Sequence, residues 1–537
     1  MRVLDTFHGT GRLLRLNLRV DRIRGSVWVL GIVGLVLTST WSVRNLYSTP
    51  DEIARYASML TTSRAMESVN RAFNGPGLGF EHPNPGVVLV NEVALWGSVA
   101  FSLMAIFLTA RHTRAAEEAG QLDLVRSQSI GRHAPLGAAA LLVLLLEAIA
   151  AAIVLLGLVL LGYDTTGSTA LVLAFFAAGC VFSVLTAIGA QIVSTGRAAV
   201  GIGLAAFGSA FLLRAIGDVG DGRLSWLSPL GWVHRVRPFA GERWWVLSLS
   251  LLTVVLGSAL ALGLSDHRDL GSGMLPQRRG PRNATAFGER PLGLLVRTHR
   301  GSTLGWTIAV GILGVAYGGV ANDIEAVFAD NPDLARFMPT QGRSAADTYL
   351  AYTLAIGTLL VSSAVIASIM RIRHDETGGR LELVLAHRIS RPRWLGQHLL
   401  VASGVALVML IASGVATGAG VALSGGDTDQ VVRLTGASLA SLPVPLALGG
   451  LTTLLVGAAP RFTALSWGAL TIVAVVALLG DALRLPEWFR AVSPLEHLAK
   501  VPADAFDPSS FSAVAIVGCV FAVLGVAAFR HRDIPQV

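Results

Sequence analysis

Twelve long apolar blocks, spread along the whole chain, constrain what this sequence can fold into more than any other feature. They fall at roughly 26–43, 88–110, 135–162, 168–194, 198–217 and 244–264, then at 304–321, 348–370, 396–424, 431–457, 462–483 and 509–528. About 20 mostly apolar residues cross the hydrocarbon core of a bilayer as a helix. Only helices and closed barrels satisfy every backbone group there, and blocks of this length fit helices. Just 14% of the 537 residues are charged, against about 25% in soluble domains. The expected fold class is an all-α polytopic membrane protein with about 12 transmembrane helices. The blocks at 198–217 and 304–321 are short and Gly-rich and define their spans least sharply. The first 25 residues are studded with arginine and have no apolar core. No cleavable signal peptide is therefore expected, and the first block stays as an anchor.

The formal charge of +8 has a distribution that argues against a nucleic-acid site. Cytoplasmic loops carry the Arg/Lys excess in membrane proteins. With the N-terminus inside, the inside segments are 1–25, 111–133, 195–197, 265–303, 371–393, 460–461 and 529–537, and they hold 27 of the 42 basic residues. Both termini are thus expected in the cytoplasm. Cys180 and Cys519 both lie inside apolar blocks and read as packing residues rather than a disulfide or metal pair.

The chain also resembles itself at an offset of about 260 residues. Glu117-x-x-Gly120-Gln121-Leu122-Asp123-Leu124-Val125 matches Glu376-x-x-Gly379-Arg380-Leu381-Glu382-Leu383-Val384, and Arg114 and Arg132 fall on Arg373 and Arg391. Ser228-Pro229-Leu230 matches Ser493-Pro494-Leu495, His267-Arg268-Asp269 matches His531-Arg532-Asp533, and Arg24-Gly25-Ser26 matches Arg300-Gly301-Ser302. Five matches in one order make a duplication. The same number and direction of spans in each half makes it two parallel six-helix repeats. The expected divisions are an amphipathic N-terminal elbow helix at 1–25, a first membrane half at 26–264, a cytoplasmic linker with a second elbow region at 265–303, a second half at 304–528 and a tail at 529–537. Within the first segment Arg12, Arg15, Arg19 and Arg22 recur at helical spacing beside Leu16, Val20 and Ile23, as in a helix lying on a membrane surface. Alternation over Leu14 to Asp21 leaves a strand open on pattern alone.

The loop after the second block of each half carries the best-matched motif. Glu117 to Val125 reads as a short helix with Glu117 and Glu118 in its first turn, where acidic residues suit the dipole. Its apolar end fits a protein partner or lipid headgroups. The pattern E-x-x-G-x-L-[DE]-L-V resembles the coupling helix of ABC-2-type permeases, the membrane subunits of ATP-binding-cassette exporters. The fused two-half chain is similar to actinobacterial permeases of polyketide-antibiotic exporters of the tetronasin type, a type V exporter-like fold. That resemblance implies a permease subunit in the bacterial inner membrane that exports an amphiphilic drug, antibiotic or lipid-like substrate. It further implies two copies of a separate ABC ATPase, with ATP and Mg2+ bound in that partner. It assigns the ATPase contact to Glu117, Gly120, Leu122 and Asp123, and to Glu376, Gly379, Leu381 and Glu382. Gln121 opposite Arg380 makes the two copies inequivalent.

The chain itself is not expected to hydrolyse ATP. A phosphate-binding loop needs a lysine after its glycines, and the only lysine, Lys500, follows His497-Leu498-Ala499. Leu423-Ser424-Gly425-Gly426-Asp427 imitates an ATPase signature but reads as a Gly-Gly turn. Glu147, set in Leu-Leu-Leu-Glu-Ala-Ile-Ala, is either a cation or proton site on the pathway or a structural partner for a neighbouring helix; Ala406 stands at its repeat position. Gln191 and Arg214 read as snorkelling or capping groups near span ends. The two Ser-Pro-Leu segments gather aromatic residues, among them Trp226, Trp232, Trp244, Trp245 and Trp488. An interfacial belt explains those; the resemblance instead implies an extracellular gate at Ser228, Pro229, Leu230, Trp232, Ser493, Pro494 and Leu495. Two other classes compete. A major-facilitator-like secondary transporter driven by an ion gradient would carry a shorter G-x-x-x-D-R loop. A membrane enzyme acting on lipid-linked sugars would need acidic or His residues clustered at a membrane face. No metal-ligand cluster or catalytic triad stands out.

Overall fold

The computed structural model describes residues 3–61, 64–121, 130–268, 271–275, 288, 290–324, 344–377, 381, 389–480 and 485–532. The described residues are helical with no strand. The chain forms two compact units, Met1–Gly280 and Pro281–Val537.

In the first unit a short amphipathic helix, Thr10–Val20, precedes six spans: Arg22–Leu46, Pro85–Glu118, Ala134–Leu160, Thr165–Ile192, Gly196–Val219 and Trp244–Asp266. Local chemistry sets the starts. Asn84, Asp164 and Thr195 each accept a backbone N–H of the first turn, and Pro85 follows Asn84 at the first helical position, where its missing N–H costs nothing. Spans 2 and 4 are the central helices: the Phe101 and Phe175 rings meet tilted, with centroids 5.8 Å apart, and a Cβ on Gly97 would meet the Phe175 ring at 2.4 Å. Span 6 instead presents Leu251, Leu252, Val255, Leu256 and Leu260 outward, an apolar face of the kind that meets lipid or another membrane helix.

The second unit repeats this order. Its spans are Pro291–Gly318, Ala345–Arg373, Arg391–Leu423, Gln430–Ala458, the shorter Leu465–Leu479 and Pro508–His531. Spans 8 and 10 are mostly buried while spans 7 and 12 are mostly exposed, as spans 2 and 4 contrast with span 6. Spans 10 and 12 touch backbone to backbone, because a Cβ on Gly450 or Gly457 would lie 2.2 or 2.1 Å from the carbonyl oxygens of Gly518 and Gly525. Small residues are what allow helices to approach this closely in a membrane.

Eleven described helices are thus long and apolar enough to cross a bilayer, and the block expected at 462–483 yields only the 15-residue helix Leu465–Leu479. At about 1.5 Å per residue it is shorter than the hydrocarbon core. The block at 431–457 is two helices, Gln430–Leu439 and Pro443–Ala458, since Pro443 and Pro445 supply no N–H to continue the first. Residues Leu14 to Asp21, ambiguous by pattern, are helical up to Val20. That helix buries Leu13 against Ala134 and Ala138 and leaves Arg12, Arg15, Arg19, Leu16 and Val20 exposed. It breaks from span 1 at Asp21, whose carboxylate is drawn to Arg111 Nε and His112 Nε2, each at 2.7 Å. Burial opposes that charge, yet the bonds from Arg111 and His112 hold it below the usual carboxylate range. Arg297 stands at the matching place in the second unit, and there one helix runs unbroken from Pro291 to Gly318. Residues 291–303, in the stretch expected as linker and second elbow, are thus helical and continuous with the first apolar block of this half.

Candidate functional site: the ends of the second span in each half

Span 2 does not stop at the apolar block. It continues through a π turn, Arg111–Ala115, into Ala116–Glu118, and such turns cluster at functional positions in other proteins. Gly120 then takes a left-handed φ of 69° and its N–H returns to the Glu117 carbonyl at 3.0 Å. This is a glycine-terminated helix end. Glu117 and Glu118, expected in the first turn of a separate helix, instead close the second span. Glu376 likewise lies in the last turn of Ala345–Thr377. A carboxylate at that end meets the negative pole of the helix, so it needs cations.

It finds them. Glu117, with 5% of its side chain exposed, pairs with Arg268 through two parallel bonds of 2.9 Å, with Arg114 at 3.1 Å, and accepts the Gly271 N–H at 2.7 Å. Paired Arg–carboxylate forks are among the stronger polar contacts. In the second half Glu376, 2% exposed at its side chain, pairs with Arg373 at 3.0 Å and with Arg532. The same three repeat positions therefore converge in both units: Arg114, Glu117 and Arg268, and Arg373, Glu376 and Arg532. Burial and the charge of Arg373 pull the Arg532 guanidinium below its ordinary pKa. The pairing spans 151 residues in one half and 156 in the other.

The other residues expected to touch an ATPase are placed as follows. Gly120 faces open space, with nothing within 4 Å of a built Cβ. Leu381 is buried with Ile369, Ile372, Trp394 and Leu395. Leu122, Asp123, Gly379 and Glu382 lie outside the described residues. Glu118 is spoken for by the Gly196 N–H at 2.8 Å, at the start of span 5.

At the opposite end of span 5, Ser228 is an N-cap: its hydroxyl accepts the Gly231 N–H at 3.3 Å and donates to the Ala210 carbonyl at 2.6 Å, with Pro229 and buried Leu230 beginning a short helix. Trp232 donates to the Trp226 carbonyl at 2.7 Å. Ser493 is also buried, its backbone N–H bonded to Arg490 at 2.9 Å, with Pro494 and Leu495 in the turn that follows. Sequence reasoning missed the polar cluster beneath Ser228. Arg214, fully buried, donates to the Ala72 and Phe73 carbonyls at 2.5 and 2.9 Å, meets His234 Nε2 at 3.2 Å and lies 3.9 Å from Asp218. Burial, with Arg214 and Arg235 beside it, holds His234 well below the ordinary imidazole range. An arginine inside an apolar block was the one visible signal. The capping expected of Arg214 is present, on the last turn of helix Arg64–Phe73.

Glu147, midway along span 3, is fully buried. Its carboxylate lies over Gly179, where a Cβ would come within 2.0 Å of Oε1, and Cys180 Sγ is 3.4 Å from Oε2. Next to Cys180 an apolar cavity of about 210 Å³ opens between spans 2, 3, 4 and 6, lined in part by Thr109, Val143, Ser183 and Leu262. Among the described residues no group of three His, Cys, Asp or Glu can hold a metal ion. Leu423-Ser424-Gly425-Gly426 ends span 9 as a turn, with Gly425 at φ 98° and Asn322 bonded to the Ser424 hydroxyl at 2.9 Å.

Two units with the same order of central and peripheral helices, each closing its second span on an arginine-bracketed carboxylate, define a duplicated multi-pass membrane protein. The chain belongs to the family of the multidrug efflux system permease protein Rv1217c of Mycobacterium tuberculosis. It is 35% identical to that protein over 536 residues, covering 98% of this chain and 96% of the relative. The family model described as multidrug efflux system permease Rv1217c, C-terminal domain, matches residues 289–530, nearly all of the second unit.

Proposed function

We propose that this chain is the membrane permease of an ATP-driven, ABC-2-type exporter, fused from two halves, and that it moves amphiphilic drugs or lipid-like compounds out of the cell. The ATPase is a separate subunit present in two copies, which holds ATP and Mg2+. Each copy docks on one of the two segments that follow spans 2 and 8, and both termini lie on that cytoplasmic side. The observation that carries the reading is the repetition of one buried structure at the ends of spans 2 and 8. Two equivalent docking points are what a symmetric pair of motor subunits requires. The basic residues concentrated in loops on that side support the orientation, and the relative's name as a multidrug efflux permease supports the cargo class.

Gly120, Leu122 and Asp123, with Gly379 and Glu382 in the second half, make the ATPase contact, while the inward-turned Glu117 and Glu376 and the buried Leu381 shape it. The Ser-Pro-Leu turns at the other end serve as the extracellular gate. The test is purification of the chain with the ATPase that co-elutes, followed by ethidium transport in proteoliposomes. ATP-dependent export that vanadate stops and a protonophore leaves intact is expected. Transport that collapses with the proton gradient and ignores vanadate refutes the reading in favour of a secondary transporter.

A further inference from the structure

The clusters at Glu117 and Glu376 do more than bury a charge, because each ties together helix ends that are distant in sequence. In the first half Arg114 Nε donates to the Ala190 carbonyl at 2.9 Å, near the end of span 4, and its Nη2 donates to Ser272 at 3.0 Å. Arg268, just past the end of span 6, shares the Ser272 carbonyl at 2.8 Å. The far side of the loop is pinned as well: Arg132 donates to the carbonyls of Ser265, Asp266 and Arg268 at 2.7, 2.9 and 3.2 Å. In the second half Arg532 donates to the Val456 carbonyl at the end of span 10, and Arg391 to the Arg532 carbonyl at 2.7 Å.

The two halves therefore share a plan but differ in its execution. Span 4 is gripped by the arginine of span 2 (Arg114), whereas span 10 is gripped by the arginine that follows span 12 (Arg532). Arg132 and Arg391 hold the backbone after the last span in both. The carbonyls concerned are the unsatisfied groups that every helix end leaves, and guanidinium forks can bind several at once.

We propose that each Arg–Glu–Arg cluster is a clasp that makes the ends of the second, fourth and sixth spans of its half move as one body. Glu117, Arg114, Arg268 and Arg132, with Glu376, Arg373, Arg532 and Arg391, are then positioning residues that carry motion from the docking segment into the membrane helices. A push on a loop anchored on both flanks cannot be absorbed by the loop alone. A buried charge deprived of its partner has no comparable alternative contact, so the clasp holds while the helices move.

This rests on the exporter reading, and the experiment separates the two. The full chain with its co-purifying ATPase is reconstituted as Glu117→Arg, Arg268→Glu and the two combined, and both ATP hydrolysis and ethidium transport are measured. The milder Glu117→Gln and Arg268→Gln, with Glu376→Gln and Arg532→Gln in the other half, cover a reversal variant that does not assemble. The expected result for Arg268→Glu, Arg268→Gln and Arg532→Gln, whose residues lie outside the docking segments, is an intact complex that still hydrolyses ATP but exports severalfold less ethidium per ATP, with the ratio largely recovered when Arg268→Glu is combined with Glu117→Arg. A merely structural pair would lower both activities together through loss of assembled protein and leave their ratio unchanged, and that outcome overturns the clasp. Unchanged coupling in all the Gln variants overturns it too. Absence of ATP-driven transport from the unmodified complex refutes the exporter reading itself.

Discussion

Replacing Arg214 by methionine should cost the first unit more than any comparable change in its membrane helices. The side chain is fully buried and ends the helix Arg64–Phe73 by donating to Ala72 and Phe73, while its other nitrogen meets His234 and faces Asp218. Methionine has a similar stem, so little packing volume is lost. The loss is in polar contacts: two carbonyl oxygens lose their donor, and Asp218 loses its ion-pair partner while keeping the Ser225 hydroxyl at 2.6 Å. Bonds to a charged group contribute about 1.5–3 kcal/mol each, and breaking a buried pair from one side costs about 3–5 kcal/mol in all. Since these share one network they do not add, and about 3–5 kcal/mol is the working figure. For a unit of this size that lowers the melting temperature by roughly 10 °C. Heat denaturation of the detergent-solubilised protein followed by tryptophan fluorescence reads it, because Trp226 and Trp232 adjoin the cluster. Asp218→Asn in the Arg214→Met background should then cost little further. A methionine variant that melts with the parent refutes the argument.

Three further outcomes follow from the same structure. His234 is held neutral in the folded chain, while the unfolded chain binds a proton near pH 6.5; stability is therefore full above that pH and falls below it by about 1.4 kcal/mol per unit. Melting curves between about pH 7.5 and 5.5 should show a shallower slope in His234→Gln, and identical slopes would remove His234 from the account. Gly457→Val drives a side chain into the Gly525 backbone and should destabilise by about 1–3 kcal/mol or more, whereas Gly436→Ala, which meets nothing within 4 Å, should be neutral or slightly stabilising. If both behave alike in a thermal melt, close approach is not what joins spans 10 and 12. Glu147→Gln keeps the fit over Gly179 and replaces an ionisable group, which is costly at mid-bilayer, with a neutral one of the same shape, so the variant should be at least as heat-stable as the parent. A marked loss of stability would show that the carboxylate itself holds spans 3 and 4 together.

Much of the fold was legible because span length and hydropathy are local properties. The starts of spans 2 and 3 fall within a few residues of where the apolar blocks begin. The role of Glu117 was less accessible. Read locally, two glutamates ahead of an apolar run look like the start of a helix; in the structure they end one, and the compensating Arg268 lies 151 residues away. The repeated His-Arg-Asp triplet pointed to that arginine without saying what it meets. Arg214 shows the same limit. An apolar block with one arginine near its end reads as carrying a snorkelling or capping cation, but the carbonyls it caps belong to a helix before span 2, and no local pattern links the two. The helix Pro291–Gly318 also runs unbroken past Arg297, the position that matches Asp21, and no local pattern marked that difference.

Duplication has treated the two ends of the bundle differently. The arginine-bracketed carboxylate recurs with the same residue types in both halves, down to the second arginine that holds the backbone beyond the last span. At the other end, the offset that aligns Ser228 with Ser493 sets Leu479 opposite Arg214 and Ala499 opposite His234, and mid-membrane Glu147 has Ala406 as its counterpart. Under the exporter reading this division has a mechanical sense. Identical motor subunits deliver identical strokes, so the end that receives them must respond alike in both halves. Cargo imposes no such symmetry, because a molecule that is apolar at one end and polar at the other is met best by walls that differ. Buried ionic groups confined to one half are therefore where substrate preference should be sought, and the duplicated clasp is where substitutions should affect every substrate equally.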